Sequence, residues 1–160
     1  MVNNLTFKIR KAKVADLKTL QQLSAKLIDS DNRFNNAQSL REWSLSEDGE
    51  KYLLRRIRGK KGACFVAEKE GEIVGYISGG VVKIQKWRPF KKAEVDNIYV
   101  EENYRNHKIG SALMDIFINW AKSKGMEKVF LYAMEQNVDG IRFYEKKLYK
   151  KFNLILERNI

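Results

Sequence analysis

The sequence predicts a mixed α/β (α+β) fold, and three observations lead there. Apolar and polar residues alternate in segments suited to half-buried strands, apolar residues recur at three- and four-residue steps in others, and turn residues separate the two kinds. The resulting order, β-α-α-β-β-β-α-β-α-β, contains no repeat, low-complexity tract or linker, so residues 1–160 are expected to form a single domain.

Leu5–Arg10 alternates as a strand does, and Leu17, Leu20, Leu23 and Leu27 then mark one face of a helix. Asp16 falls in that helix's first turn, where a carboxylate suits the helix dipole. Asp29–Asn36 is turn-rich and reads as a loop. A second helical region, interrupted around Ser46–Gly49, resumes through Tyr52, Leu53, Arg56 and Ile57 and ends before Gly59. Ala63–Lys69 and Glu72–Val82 flank Glu70-Gly71 as the arms of a tight hairpin. Lys83–Lys92 holds the only proline among many cations and reads as a loop or hairpin extension. Along Ala93–Val100, Glu94, Asp96, Ile98 and Val100 are expected on one face, and Val95, Asn97 and Tyr99 on the other. A polar turn at Glu101–Tyr104 precedes a strongly amphipathic helix with apolar positions from Ile109 to Ala121, closed by Gly125. Lys128–Met134 suits a buried strand, Asn137–Lys147 a short helix, and Tyr149–Leu156 a final strand.

Composition narrows the function classes. With 44% hydrophobic and 32% charged residues, the chain can bury a core and does not read as disordered. No apolar run approaches the roughly 18 residues of a spanning helix. The N-terminal residues lack the apolar stretch of a secretory signal, so a cytoplasmic protein is expected. One cysteine, Cys64, and one histidine, His107, provide neither an internal disulfide nor a histidine-rich metal site. Cys64 sits among apolar neighbours and reads as a buried strand residue.

The net charge of +11 is concentrated. Residues 51–92 hold 12 basic against 3 acidic side chains, whereas residues 1–50 hold 8 against 7 and residues 93–160 hold 11 against 10. Such a field favours an anionic partner at 51–92, whether nucleic acid, an anionic surface or a phosphate-rich molecule; a merely solubilising surface is the alternative. Trp87 and Phe90, interleaved with cations, could stack bases or form one wall of an acceptor site.

The segment from Asp96 to Leu113 runs from a strand through a polar turn into a helix. The free N–H groups of a helix's first turn bind anions, and Gly110, Ser111 and Ala112 are small enough to admit a phosphate. Arg105, His107 and Lys108 surround the turn with donors. Neither a Walker A loop nor G-x-G-x-x-G is present.

This segment resembles motif A of the GNAT superfamily, the Gcn5-related N-acyltransferases, whose pattern is Arg/Gln-x-x-Gly-x-Gly/Ala before an amphipathic helix. Arg105, Lys108 and Gly110 take the patterned positions, with Lys108 replacing the first Gly. The resemblance extends to Phe7–Ala12 with Asp16-Leu17, to the hairpin Phe65–Tyr76, and to Asn137 with Arg142-Phe143-Tyr144-Glu145-Lys146. Gly140 stands where Ala is common, and Leu148-Tyr149 replaces the common Gly-Phe.

The resemblance implies a central twisted, mostly antiparallel sheet with a splayed parallel strand pair and about four flanking helices. It implies acetyl transfer from acetyl-CoA to a primary amine by direct attack, with no metal. Tyr144 would be the general acid toward the departing thiolate, the alternative being an aromatic core residue with its hydroxyl tied up. Glu94 would be the general base; Asp96 or a relaying water could take that part, or the two carboxylates could attract a cationic amine. The backbone of Ile98, Tyr99 and Val100 would run beside pantetheine, with the Val100 N–H as oxyanion donor. Arg105, Asn106, His107, Lys108, Ile109, Gly110, Ser111 and Ala112 would hold the pyrophosphate. Asn137 would bind pantetheine or, alternatively, cap its own helix. Long-range repulsion of polyamines slightly favours a peptide or protein acceptor, with monomer and homodimer both open. The alternatives are a nucleic-acid- or ribosome-associated module using residues 51–92, and an acyl-CoA sensor without activity.

Overall fold

The computed structural model describes residues 6–34, 39–87, 89–158 and 160; Leu5, Asn35, Asn36 and Arg88 of the segments above lie outside it. Its strands are β1 (Lys8–Lys11), β2 (Gly62–Lys69), β3 (Glu72–Val81), β4 (Lys92–Val100) and β5 (Lys128–Leu131). Its helices are α1 (Leu17–Asn32), α2 (Arg41–Leu45), α3 (Glu47–Arg58), α4 (Ile109–Ser123) and α5 (Val138–Lys146). The strands form one sheet in the order β1-β2-β3-β4-β5, antiparallel except for the parallel β4–β5 pair. This is the mixed, mostly antiparallel sheet with one parallel pair that the family resemblance implies.

Each face of the sheet carries its own apolar cluster. Leu20 and Leu23 of α1 and Leu53 and Ile57 of α3 pack with Val66, Tyr76 and Tyr99 on one face. On the other, α4 lays Ile109, Leu113, Met114 and Phe117 against Ala67, Ile77 and Val95. Each such fully buried side chain contributes about 1.5–3 kcal/mol, so α4 is anchored along its whole length. Its first turn is thereby held beside the end of β4.

Glu70 and Gly71 both take positive φ, 51° and 86°, as a two-residue hairpin turn requires. Ser46 splits the second helical region, its hydroxyl accepting from Gly49 N–H at 3.3 Å to cap α3. Asp16 is tied by Arg10 through paired bonds of 2.7 and 3.0 Å, which hold its carboxyl below the usual range.

Four expectations need correction. Asp29–Asn32 continues α1 rather than starting a loop. β5 stops at Leu131 and is only half-buried, because it is the sheet's edge. The predicted final strand at Tyr149–Leu156 does not form: Phe152, Leu154, Ile155 and Leu156 are all exposed. The reason lies at the end of α5, where Leu148 at φ 66° turns the chain and Tyr149 N–H returns to Tyr144 O at 3.0 Å. The fourth concerns β4, where a bulge between the Ser78–Asn97 and Gly79–Val95 pairs inserts Asp96. Asp96 and Asn97 consequently share the face toward α3, while Ile98 and Val100 join Val95 on the α4 side.

Candidate active site

β4 pairs with β5 only over Lys92–Val95 and Lys128–Leu131. Beyond Val95, β4 runs on to Val100 with no described strand paired on that side, and this unpaired edge is the candidate cleft. Glu101 N–H donates to Val74 O at 2.9 Å. Peptide groups alternate direction along an antiparallel strand, so this bond fixes the rest. Tyr99 faces Tyr76 on β3, and Ile98 and Val100 turn their N–H groups into the cleft. The expectation that Tyr99 contacts a cofactor through its backbone is therefore corrected: its peptide groups belong to the sheet and its ring is buried.

At the end of the cleft lies the turn into α4. Arg105 Nε donates to Val100 O at 3.0 Å, and its guanidinium stands 5.6 Å from the centre of the Tyr99 ring. His107 Nδ1 donates to Arg105 O at 2.8 Å. Asn106 and Lys108 take left-handed conformations, φ 65° and 64°. Lys108 thus occupies the conformation glycine favours, at the position where it replaces the patterned glycine. The first intrahelical bond of α4 is Ala112 N–H to Lys108 O at 3.0 Å, and no side chain caps the helix. The N–H groups of Ile109, Gly110 and Ser111 are left for an anion. Ile109's side chain is itself buried in the core, so only its backbone can serve the site. A Cβ on Gly110 would meet Phe143 at 3.5 Å and Val100 at 3.9 Å, so any longer side chain there points into the cleft wall.

α5 borders the other side. The Tyr144 hydroxyl makes no hydrogen bond to a described residue, and burial pushes its pKa up to about 12. Its ring packs against the α4-side core and the Phe143 and Tyr149 rings, while among the described residues its hydroxyl has no hydrogen-bond partner. Asn137 Oδ1 accepts from Gly140 N–H at 3.0 Å, making it the N-cap of α5, and its amide N–H groups have no partner among the described residues.

Glu94 and Asp96 do share a face, but their situations differ. Asp96 accepts from Tyr52 OH at 2.6 Å and pairs with Arg56 Nη2 at 2.6 Å. Asn97 Nδ2 adds bonds to Tyr52 OH at 3.0 Å and Ser78 Oγ at 3.2 Å. Glu94 accepts no hydrogen bond from a described residue, and burial, then the Asp96 charge, raises its pKa. Tyr52, Arg56, Ser78 and Asn97 are absent from the sequence-derived site. The spacing of Tyr52 and Arg56, one helical turn apart, and the Gly79-Gly80 pair inside a strand were the available signals. Cys64 is fully buried, and burial lifts its thiol pKa to about 12. Among the described residues no cluster of metal-ligating side chains occurs, and no helix is long and apolar enough to cross a membrane.

A mixed sheet whose single parallel pair splays open beside a bare helix N-terminus defines the class: an acyltransferase fold. The sequence profile of the Acetyltransferase (GNAT) family matches residues 27–148, and the chain belongs to that family. An N-alpha-acetyltransferase of Sulfurisphaera tokodaii and an uncharacterized N-acetyltransferase of Methanocaldococcus jannaschii are each 30% identical, over 65% and 60% of this chain. The matches span 66% and 41% of those relatives' own lengths. A Clostridium acetobutylicum protein described as a predicted acetyltransferase and solved with acetyl-CoA shares the fold, with a TM-score of 0.73, 17% identity and 96% of each chain covered.

Proposed function

We propose that the protein transfers an acetyl group from acetyl-CoA to a primary amine, with a peptide or protein α-amine as the favoured acceptor. The observation that carries this reading is the continuity of donors along one cleft. The unpaired N–H groups of Ile98 and Val100 lead to the uncapped N–H groups of Ile109, Gly110 and Ser111. An amide-bearing arm ending in a pyrophosphate needs that sequence of donors. Arg105, His107 and Lys108 add charge and donors at the phosphate end, and Asn106 contributes backbone.

Acetyl-CoA supplies an activated thioester carbonyl. The acceptor reaches the site as an ammonium, and Glu94 takes its first proton, freeing the nitrogen lone pair for attack. The Val100 N–H supports the oxygen on which negative charge develops. As the C–S bond breaks, Tyr144 protonates the sulfur and regains a proton from the adduct's nitrogen, leaving amide and thiol. Asp96 is excluded from the base role by its bonds to Tyr52 and Arg56. The same bonds neutralise half of the acidic pair that would attract polycations, which supports a singly charged α-amine. The N-alpha-acetyltransferase relative points the same way. A cytoplasmic setting accords with the free, buried Cys64 thiol.

The test is a screen with radiolabelled acetyl-CoA against peptides, polyamines and amino acids. Label on peptide α-amines is expected; label on polyamines alone, or on nothing, overturns the reading.

A second reading rests on where the charge gathers. The turn 58–62, the loop 82–91 and the start of β5 lie at one end of the sheet, opposite the α4 N-terminus. Exposed Lys60, Lys61, Lys83, Lys86 and Lys91 meet there, none in an ion pair with a described residue. This supports an anionic macromolecule docking at that end, with Trp87 exposed beside it. Binding of a single-stranded RNA that weakens about 100-fold between 50 and 200 mM salt, as roughly five phosphate contacts require, would support it. Salt-independent binding would exclude it.

A further inference from the structure

Resting on the reading of Glu94 as base, we infer that Arg56, clamped by Asp96 and Tyr52, is a positioning residue that sets the charge state of Glu94. The geometry begins with glycine. Gly80 on β3 lies directly across from Glu94 on β4. A Cβ on Gly80 would overlap Arg56 Nη1. Directly paired residues of antiparallel strands project to the same face, so the guanidinium occupies the space that a cross-strand neighbour of Glu94 would fill. The adjoining Gly79 projects the other way, against the Phe117 ring.

Arg56 is held there from two sides. Its Nη2 pairs with Asp96 Oδ2 at 2.6 Å, and its guanidinium lies 5.3 Å from the centre of the Tyr52 ring. The Tyr52 hydroxyl closes the triangle by donating to the same Asp96 oxygen at 2.6 Å. Asp96 faces α3 by ordinary alternation with Glu94, and the bulge adds Asn97 beside it, whose Nδ2 bonds to Tyr52 OH at 3.0 Å. Glu94 therefore has a fixed cation from α3 and a fixed anion from its own strand. Tyr52 is the remaining titratable group of this network; Ser78 of β3 and Phe130, opposite Glu94 on β5, carry no charge.

The two charges act in opposite senses. Asp96 opposes ionisation of Glu94, and Arg56 favours it. With only the anion and burial, the Glu94 carboxyl would hold its proton more tightly. With only the cation it would release the proton more readily and be the weaker base. The triangle holds Glu94 between these limits while keeping Asp96 out of proton transfer.

The test is a carbon-detected NMR pH titration of protein labelled at glutamate carboxyls, with the Glu94 signal assigned by its loss in Glu94→Gln. In wild type the Glu94 midpoint should lie above that of the exposed glutamates. Arg56→Gln should move it up, and Asp96→Asn should move it down. Arg56→Lys should return it toward the wild-type value. Gly80→Ala, whose Cβ would displace the guanidinium and press on the Lys61 carbonyl while keeping every charge, should also move it up. Midpoints unchanged, or moved in the same direction by both charge variants, would overturn the inference; melting curves show which variants fold. The catalytic reading fails separately. If the acid limb of kcat/KM for a peptide acceptor survives in Glu94→Gln, Glu94 is not the base, whatever the titration shows.

Discussion

Replacing Leu148 with glycine should make the protein more stable, although it deletes a large apolar side chain. Leu148 is 89% exposed, so its loss forfeits little packing. It sits at φ 66°, just past the end of α5, where Leu148 N–H bonds to Glu145 O and Tyr149 N–H to Tyr144 O. The equivalent position after α4 is filled by Gly125 at φ 71°, with the same two return bonds. A non-glycine residue in this conformation costs roughly 1–2 kcal/mol. Glycine's greater freedom in the unfolded chain takes back about 0.5–1 kcal/mol. The net gain is about 0.5–1 kcal/mol, or roughly 1–4 °C in Tm for a chain of this size. Lys108→Gly, at φ 64°, should give a similar rise. Unlike Leu148→Gly, it should also weaken CoA binding about 10-fold, because a charged phosphate contact worth about 1.5 kcal/mol is lost. Lys108→Ala should lose the affinity without the stability gain. Differential scanning calorimetry and isothermal titration with CoA measure both quantities. A fall in Tm for both glycine variants would show that these backbones are not left-handed in solution, and the reasoning would fail.

Tyr144→Phe should lower kcat about 100-fold or more while leaving CoA affinity within a few-fold, since only proton donation is removed; equal turnover would remove Tyr144 from the acid role. Gly110→Glu should abolish CoA binding by placing bulk and negative charge between Val100 and Phe143; retained affinity in titration calorimetry would reject the assigned turn. Asp16→Asn should cost about 2 kcal/mol at pH 7, because two charge-assisted bonds to Arg10 are weakened. The folded-state pKa of Asp16 lies below its unfolded value, so that stability is present above about pH 4 and lost as the pH falls through the folded pKa. Urea denaturation at pH 7 and pH 3 should therefore show the wild-type advantage shrinking on acidification, and an advantage that grows would refute it.

What could be read from the sequence was whatever has local periodicity. The leucine face of α1, the Ile109–Ala121 stripe of α4 and the Glu70-Gly71 hairpin each signal their structure within a few residues. The phosphate turn was legible because its small residues and cations are contiguous. The β4 faces were not, since one bulged residue opposite Ser78-Gly79 reverses the alternation and nothing in the local pattern requires it. The Tyr52–Arg56–Asp96 triangle joins α3 to β4 across about forty residues, and only the folded sheet brings those side chains together. Tyr149–Leu156 misled for a related reason: its apolar content suits a strand, but it pairs with no described strand, and Phe152, Leu154, Ile155 and Leu156 stay exposed. Lys108 and Leu148 depart from the family's glycines in type, yet both keep the left-handed backbone a glycine would take.

The most direct measurement is native mass spectrometry of the purified protein with acetyl-CoA, followed by addition of an N-terminally free peptide. A complex with one bound acetyl-CoA per chain should form and convert, on adding peptide, to bound CoA and a peptide 42 Da heavier, the mass of an acetyl group replacing a proton (about 42 Da). No bound acetyl-CoA, or the same binding in Gly110→Glu, would contradict the cleft between β4 and β5 as the site of the chemistry.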